Sequence, residues 1–188
     1  HLLLTEDTAE SYDARYKVNP PLRSNEDVVA VRQGLADGTI DIVATDHAPH
    51  PVEAKECEWD VAAFGMVGLE SALSIVLLTM VETGELSWND VERVMSRTPS
   101  QIGRLDWNGL EVGAPARLTL IDPAVRHVFS TEHLAGRSQN SPYLGRELPG
   151  RVLYTAFEGY LTVDEGTLVP ADTVAALAVA GKGGSAHG

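Results

Sequence analysis

Apolar positions follow two periods in the first hundred residues and a third, shorter grammar after that. Residues 1–5 read His-Leu-Leu-Leu-Thr, a short apolar run that predicts the end of a buried strand. Ser24 with Asp27 forms a capping-box pattern, and Val28, Val31 and Leu35 follow at helical spacing before Gly38. The pattern predicts a helix over 24–37 with a glycine C-cap. The next run, Ile40-Asp41-Ile42-Val43-Ala44, is mostly β-branched and apolar, as a strand buried on both faces would be. Strand, helix and strand in that order predict a βαβ unit and a parallel sheet. A second helix is predicted from Met66, Leu69, Leu73, Val76, Leu77 and Met80, which share one face. A third begins at the cap Ser87-Trp88-Asn89-Asp90, turns Val91, Val94 and Met95 inward, and is expected to end near Thr98-Pro99. After a turn-rich connector over 102–110, short strands and turns are expected over 113–123, 151–157 and 160–163, around a Gly, Pro, Asn and Ser-rich loop at 138–148. From 171 onward patterned hydrophobicity fades, and a flexible tail is expected.

The strand at 40–44 leads into Thr45-Asp46-His47-Ala48-Pro49-His50, which places two imidazoles and a carboxylate where a parallel strand ends. Chemistry in barrels and open α/β sheets sits at those carboxyl ends. A carboxylate there suits a metal-assisted hydrolase, because it can ligate Zn²⁺ and also exchange a proton with a metal-bound water. An Asp-His pair after an apolar run can equally be a helix cap or a surface pair, so the motif alone leaves both readings open. Upstream, Asn19-Pro20-Pro21 locks an amide side chain on a rigid backbone. Downstream, the polar stretch 51–60 reads as a lid or wall of the site whose acids are solvated, and Phe64-Gly65 lets the backbone come close to a ligand.

The formal net charge of -13 argues against nucleic acid and anionic membrane surfaces as partners. An anionic substrate must then be drawn by local groups such as a metal ion, Arg23 or His50. The lone Cys57 cannot form an internal disulfide and reads as a loop thiol, which makes a cytoplasmic setting the expectation. No run approaches the roughly 18 apolar residues of a membrane span.

Asn19-Pro20-Pro21-Leu22-Arg23, Asp46-His47-Ala48-Pro49-His50 and Ala63-Phe64-Gly65-Met66-Val67-Gly68 together resemble the bacterial type I dihydroorotases of the amidohydrolase superfamily, from His1 to about Gly166. The resemblance implies an α/β fold, the carboxyl-terminal part of a TIM-like (β/α)8 metal-dependent hydrolase barrel with part of a small β-sandwich. Residues 1–103 would supply the last barrel strands and helices, 104–168 the sandwich return segment and 169–188 the tail. It implies zinc-dependent interconversion of N-carbamoyl-L-aspartate and L-dihydroorotate in pyrimidine synthesis. Asp46 would be zinc ligand and general base, Asn19 and His50 would hold the substrate carboxylate, and Phe64 and Gly65 the ring amides. His47 would orient Asp46, while Arg23 and His1 would serve the structure. The related readings are a hydantoinase or allantoinase, and a non-catalytic dihydroorotase-like subunit. The resemblance also implies a homo-oligomer and leaves room for association with aspartate transcarbamoylase. A catalytic zinc needs at least three protein ligands, and this segment offers one. The remaining ligands are expected upstream in a longer chain, and the segment by itself is expected to be inactive.

Overall fold

The structure, a computed structural model, describes residues 1–106 and 109–174. The expectation for the tail beyond 174 lies outside the described residues. The described residues form two compact units, one of His1–Leu105 with Arg126–Pro149 and another drawn from Asp106–Val125 and from Gly150 onward.

The first unit is helical. Helix α1 runs from Asn25 to Asp37, and its capping box is complete: Ser24 Oγ accepts the Asp27 amide at 3.4 Å while Asp27 Oδ2 accepts the Ser24 amide at 3.3 Å. Gly38 closes it at φ +85°, a left-handed conformation that favours glycine. Val28 and Leu35 are buried. A single turn, α2, spans Val52–Lys55, and α3 spans Leu69–Val76, continuing as a wider π turn over Leu77–Val81. Helix α4, Trp88–Glu92, starts on a second complete capping box at Ser87 and Asp90, passes through a π turn at Arg93–Arg97 and runs on as α5, Thr98–Ile102. The helix therefore does not stop at Pro99. A proline ring collides with the carbonyl four residues back in a regular α turn, and the wider turn just before it relieves that collision.

Two apolar clusters hold this unit. Leu35, Val76, Met80, Leu86, Val91 and Val94 pack between the helices. Leu4, Leu22, Ile75, Phe129, Tyr143 and Leu148 form the second, and burial pushes the Tyr143 phenol up to about 12.

The strands expected over 1–5 and 39–45 are not strands here. Among the described residues they lack a ladder, and Asp41 and Ala44 are exposed while Ile42 and Val43 are half-buried. A strand is made by its neighbour, and sequence pattern cannot supply one. What remains of a parallel arrangement is one bridge between His47 and Met66, closed by the Ala48 amide donating to Met66 O at 2.9 Å.

Sheet structure follows from β1, Leu118–Val128, onward: β2 spans Glu147–Phe157, β3 Tyr160–Asp164 and β4 Thr167–Leu168, adjacent in chain order. The β2–β3 and β3–β4 pairs are antiparallel, with Phe157 opposite Tyr160 and Asp164 opposite Thr167. Glu158-Gly159 and Glu165-Gly166 turn these hairpins with φ of 51°, 83°, 47° and 78°. Positive φ at both turn positions is the type I′ geometry, whose twist matches that of the strands. Within the second unit Arg117 pairs with Glu158.

Candidate functional site

Asp46 sits directly after the unpaired 40–44 stretch at φ 42°. For a residue with a Cβ that left-handed backbone costs on the order of 1 kcal/mol, and such costs gather at functional positions. Its exposed carboxylate lines a cavity of about 370 Å³ together with Asn19 and Gly65. The walls are otherwise largely apolar, with Leu4, Ile42 and Ile75 among them. Asn19 is exposed beside Pro20, and among the described residues its side-chain amide has no partner.

His50 and Phe64 do not line this cavity, although His50 Nε2 lies 3.6 Å from the position a Gly65 Cβ would take. His50 lines a neighbouring cavity of about 490 Å³ with Lys55 and Asn140. Its Nε2 meets Phe64 O at 2.8 Å, and its amide donates to Asn140 Oδ1 at 3.2 Å. The Phe64 ring is 57 % exposed and lies over the Lys17 ammonium, 4.6 Å from its centroid. Of the residues singled out from sequence, the fold thus brings Asn19, Asp46 and Gly65 around one space and joins His50 to Phe64 in another.

His47 takes a different part from the one expected. Its Nδ1 accepts the amides of Gly68 and Leu69 at 3.2 and 3.3 Å, so it caps the start of α3, with its proton on Nε2. Arg23 pairs loosely with Asp27 at 3.6 Å and its carbonyl accepts the Glu6 amide, a structural use.

Gly65 has two reasons to be glycine. Its φ is +113°, and a Cβ would come within 2.5 Å of Ala48 Cβ. The Asp-His-Ala-Pro-His turn and the Phe-Gly pair therefore interlock through Ala48 and Gly65. Gly68 is close in the same way, its Cβ position 3.1 Å from Thr45 O.

Three residues that sequence reading passed over hold this arrangement. Lys55 is buried and donates to Ala63 O at 2.8 Å and Gly65 O at 2.9 Å. Lys17, also buried, donates to Trp59 O at 2.6 Å and Asp60 O at 3.2 Å. Asn140 donates to Ala48 O at 2.9 Å and Gly65 O at 3.3 Å. Burial first, and the Lys17 ammonium second, hold the Lys55 pKa below its ordinary value. The only hint of a buried amine was a lysine set among the acids of 51–60. Those acids are exposed, as expected.

Asp46 is the one metal-ligating side chain lining the first cavity apart from His1. Among the described residues no group of three or more His, Cys, Asp or Glu could hold a metal ion. The donor set of the described residues does not fit a complete metal centre. Among the described residues no helix is long and apolar enough to cross a membrane.

No family model matches the chain. It is 64 % identical over 171 residues to a dihydroorotase of Leifsonia xyli subsp. xyli, covering 90 % of this chain and 39 % of that protein. With a dihydroorotase of Streptomyces coelicolor it shares 56 % identity over 170 residues, covering 89 % of this chain and 40 % of the relative. Among solved structures, an L-hydantoinase (dihydropyrimidinase) from Arthrobacter aurescens superposes with a TM-score of 0.78 at 30 % identity, over 89 % of this chain and 38 % of that one. The chain thus spans about two fifths of the length of the curated relatives it matches.

Proposed function

We propose, from the premise that this chain is homologous to the dihydroorotases and corresponds to their carboxyl-terminal part, that it belongs to an enzyme interconverting N-carbamoyl-L-aspartate and L-dihydroorotate. The observation that carries the reading is Asp46, held in a left-handed backbone at the rim of a cavity it shares with Asn19 and Gly65. In the hydrolytic direction one Asp46 oxygen takes a proton from the water that attacks the ring amide carbon. It then returns that proton to the departing amide nitrogen, so the group ends as it began. Cyclisation runs the same transfers backward.

The Asn19 amide donates to the substrate carboxylate. His50, whose Nε2 meets Phe64 O, is the second group holding that carboxylate. Phe64 and Gly65 form the wall facing the ring amides. The Zn²⁺ requirement belongs to the same proposal, with Asp46 as one ligand and the others contributed by parts of the enzyme outside this chain. A homo-oligomer, association with aspartate transcarbamoylase and a cytoplasmic setting belong to it as well.

The test is Asp46→Asn in the complete enzyme, assayed in both directions. Turnover of dihydroorotate is expected to fall about a thousandfold, the scale of a lost general base. Undiminished turnover overturns the assignment. Hydantoin or allantoin opened faster than dihydroorotate by the unaltered enzyme overturns the substrate instead.

A further inference from the structure

The main-chain groups of Phe64 and Gly65 differ in what they have left to offer a ligand. Gly65 N–H donates to Lys17 O at 2.9 Å, and Gly65 O is taken by Lys55 and Asn140. Phe64 O meets His50 Nε2. For Phe64 N–H no partner is found among the described residues. That N–H belongs to the peptide whose oxygen, Ala63 O, accepts the Lys55 ammonium at 2.8 Å. Lys55 has no carboxylate bonded to it among the described residues, so its charge is delivered to the two peptide oxygens. A cation on a peptide oxygen draws electron density from the amide and strengthens its N–H as a donor, an effect that grows where water is excluded.

We propose that Lys55 is a positioning residue: its ammonium fixes and polarises the Ala63–Phe64 peptide, making Phe64 N–H the main-chain donor to a carbonyl or carboxylate oxygen of the substrate. Gly65 then contributes shape alone, through the missing Cβ that lets it pack on Ala48. This rests on the dihydroorotase reading for the identity of the ligand, but the distribution of donors does not depend on it. Lys17, with its ammonium on Trp59 O and Asp60 O, anchors the outer part of the same loop without touching the polarised peptide.

The experiment uses the complete enzyme as wild type, Lys55→Met and Lys55→Arg. Removing the charge is expected to raise KM for dihydroorotate about tenfold while kcat stays within about threefold, the scale of one charge-assisted hydrogen bond. Lys55→Arg, which restores a cation, is expected to recover most of the loss. An unchanged KM in folded Lys55→Met overturns the proposal, and so does a variant in which Met and Arg are equally impaired, since packing alone would give that. Amide exchange followed by NMR separates this from the functional reading. Phe64 N–H is expected to exchange rapidly and Gly65 N–H slowly whatever the enzyme turns over, and equal protection of the two overturns the inference even if dihydroorotate proves to be the substrate.

Discussion

The stretch 46–68 and the stretch 39–45 are neighbours in sequence with opposite fates. The first intersperses charged and histidine residues among small and apolar ones, and its main-chain oxygens are met by side chains: Lys55 on 63 and 65, Asn140 on 48 and 65, His50 on 64. The second is rich in Ile and Val and remains half-open, with the Val43 amide tied to Val94 O and no ladder along its length among the described residues. Apolar composition marks where a strand can be buried, but order comes from whatever satisfies the backbone. In this chain the backbone of 46–68 is satisfied by side chains, Lys55 from within and Asn140 and Lys17 from elsewhere, whereas 39–45 has no ladder to do the same among the described residues.

The sharpest way to break that contrast is at the interlock. Gly65→Ala must fit a Cβ 2.5 Å from Ala48 Cβ at a φ of +113°. The overlap and the backbone strain together are expected to cost about 3 kcal/mol, read as a shift in the urea midpoint. Gly84→Ala has the strain, at φ +78°, but open space around it, and is expected to cost about 1 kcal/mol. If the two substitutions cost the same, contact with Ala48 is not what holds the loops.

Asn140→Ala comes next. It strands Ala48 O and the His50 amide, at an expected cost of about 2 kcal/mol, the scale of buried groups left unpaired. Val43→Ala in the open stretch removes more apolar volume and yet is expected to cost under about 1 kcal/mol, because Val43 is only half-buried. The reverse order would place the stability of this region in its apolar run and discard the comparison. Between the two lie the helix caps. Ser24→Ala and Ser87→Ala each remove one capping-box acceptor and should cost about 1 kcal/mol by the same measurement.

Those caps were also the most legible features of the sequence. Ser24 with Asp27, Ser87 with Asp90 and Gly38 act within four residues, so the sequence contains both partners and the helix ends follow. Strand pairing does not work that way. The partner of 40–44 lies far along any chain, and the same apolar run fits a paired strand or an open edge. The π turn that carries a helix through Pro99 was invisible because it depends on how the turn before it packs. Within the candidate site, Asp46, Asn19 and Gly65 could be singled out because they stand in distinctive strings. Lys17 and Asn140 were missed because their work is long-range, Asn140 meeting Ala48 ninety-two positions away, and Lys55 because the exposed acids on either side of it gave no sign of its burial. The Glu-Gly turns could have been found, since a glycine at the second position of a two-residue hairpin loop is a local signal.

The smallest expected effects, and the ones that read the contrast through charge, come from pH. Asp13 accepts from Arg15, and chiefly that bond holds its carboxyl below the ordinary 3.8; at Asp90 the Ser87 hydroxyl bond does the same. A depressed carboxyl contributes stability that is fully present above its unfolded value and is lost as pH falls through the folded one. Asp13→Asn and Asp90→Asn should therefore narrow the gap to wild type only below pH about 4. Lys55 has the same sign for a different reason. Its folded pKa lies below the ordinary 10.5, so the unfolded chain holds more protons between the two values and stability attributable to Lys55 rises with pH across that window. Tyr143 opposes it above pH 10, where the unfolded phenol ionises and the buried one, at about 12, does not. Subtracting the stability profile of Lys55→Met from that of wild type removes the tyrosine and leaves the lysine alone. The difference should climb on approaching pH 10. If it is flat, the ammonium is not in the dry setting that the cross-tied loop requires, and the contrast with the open stretch loses its electrostatic half.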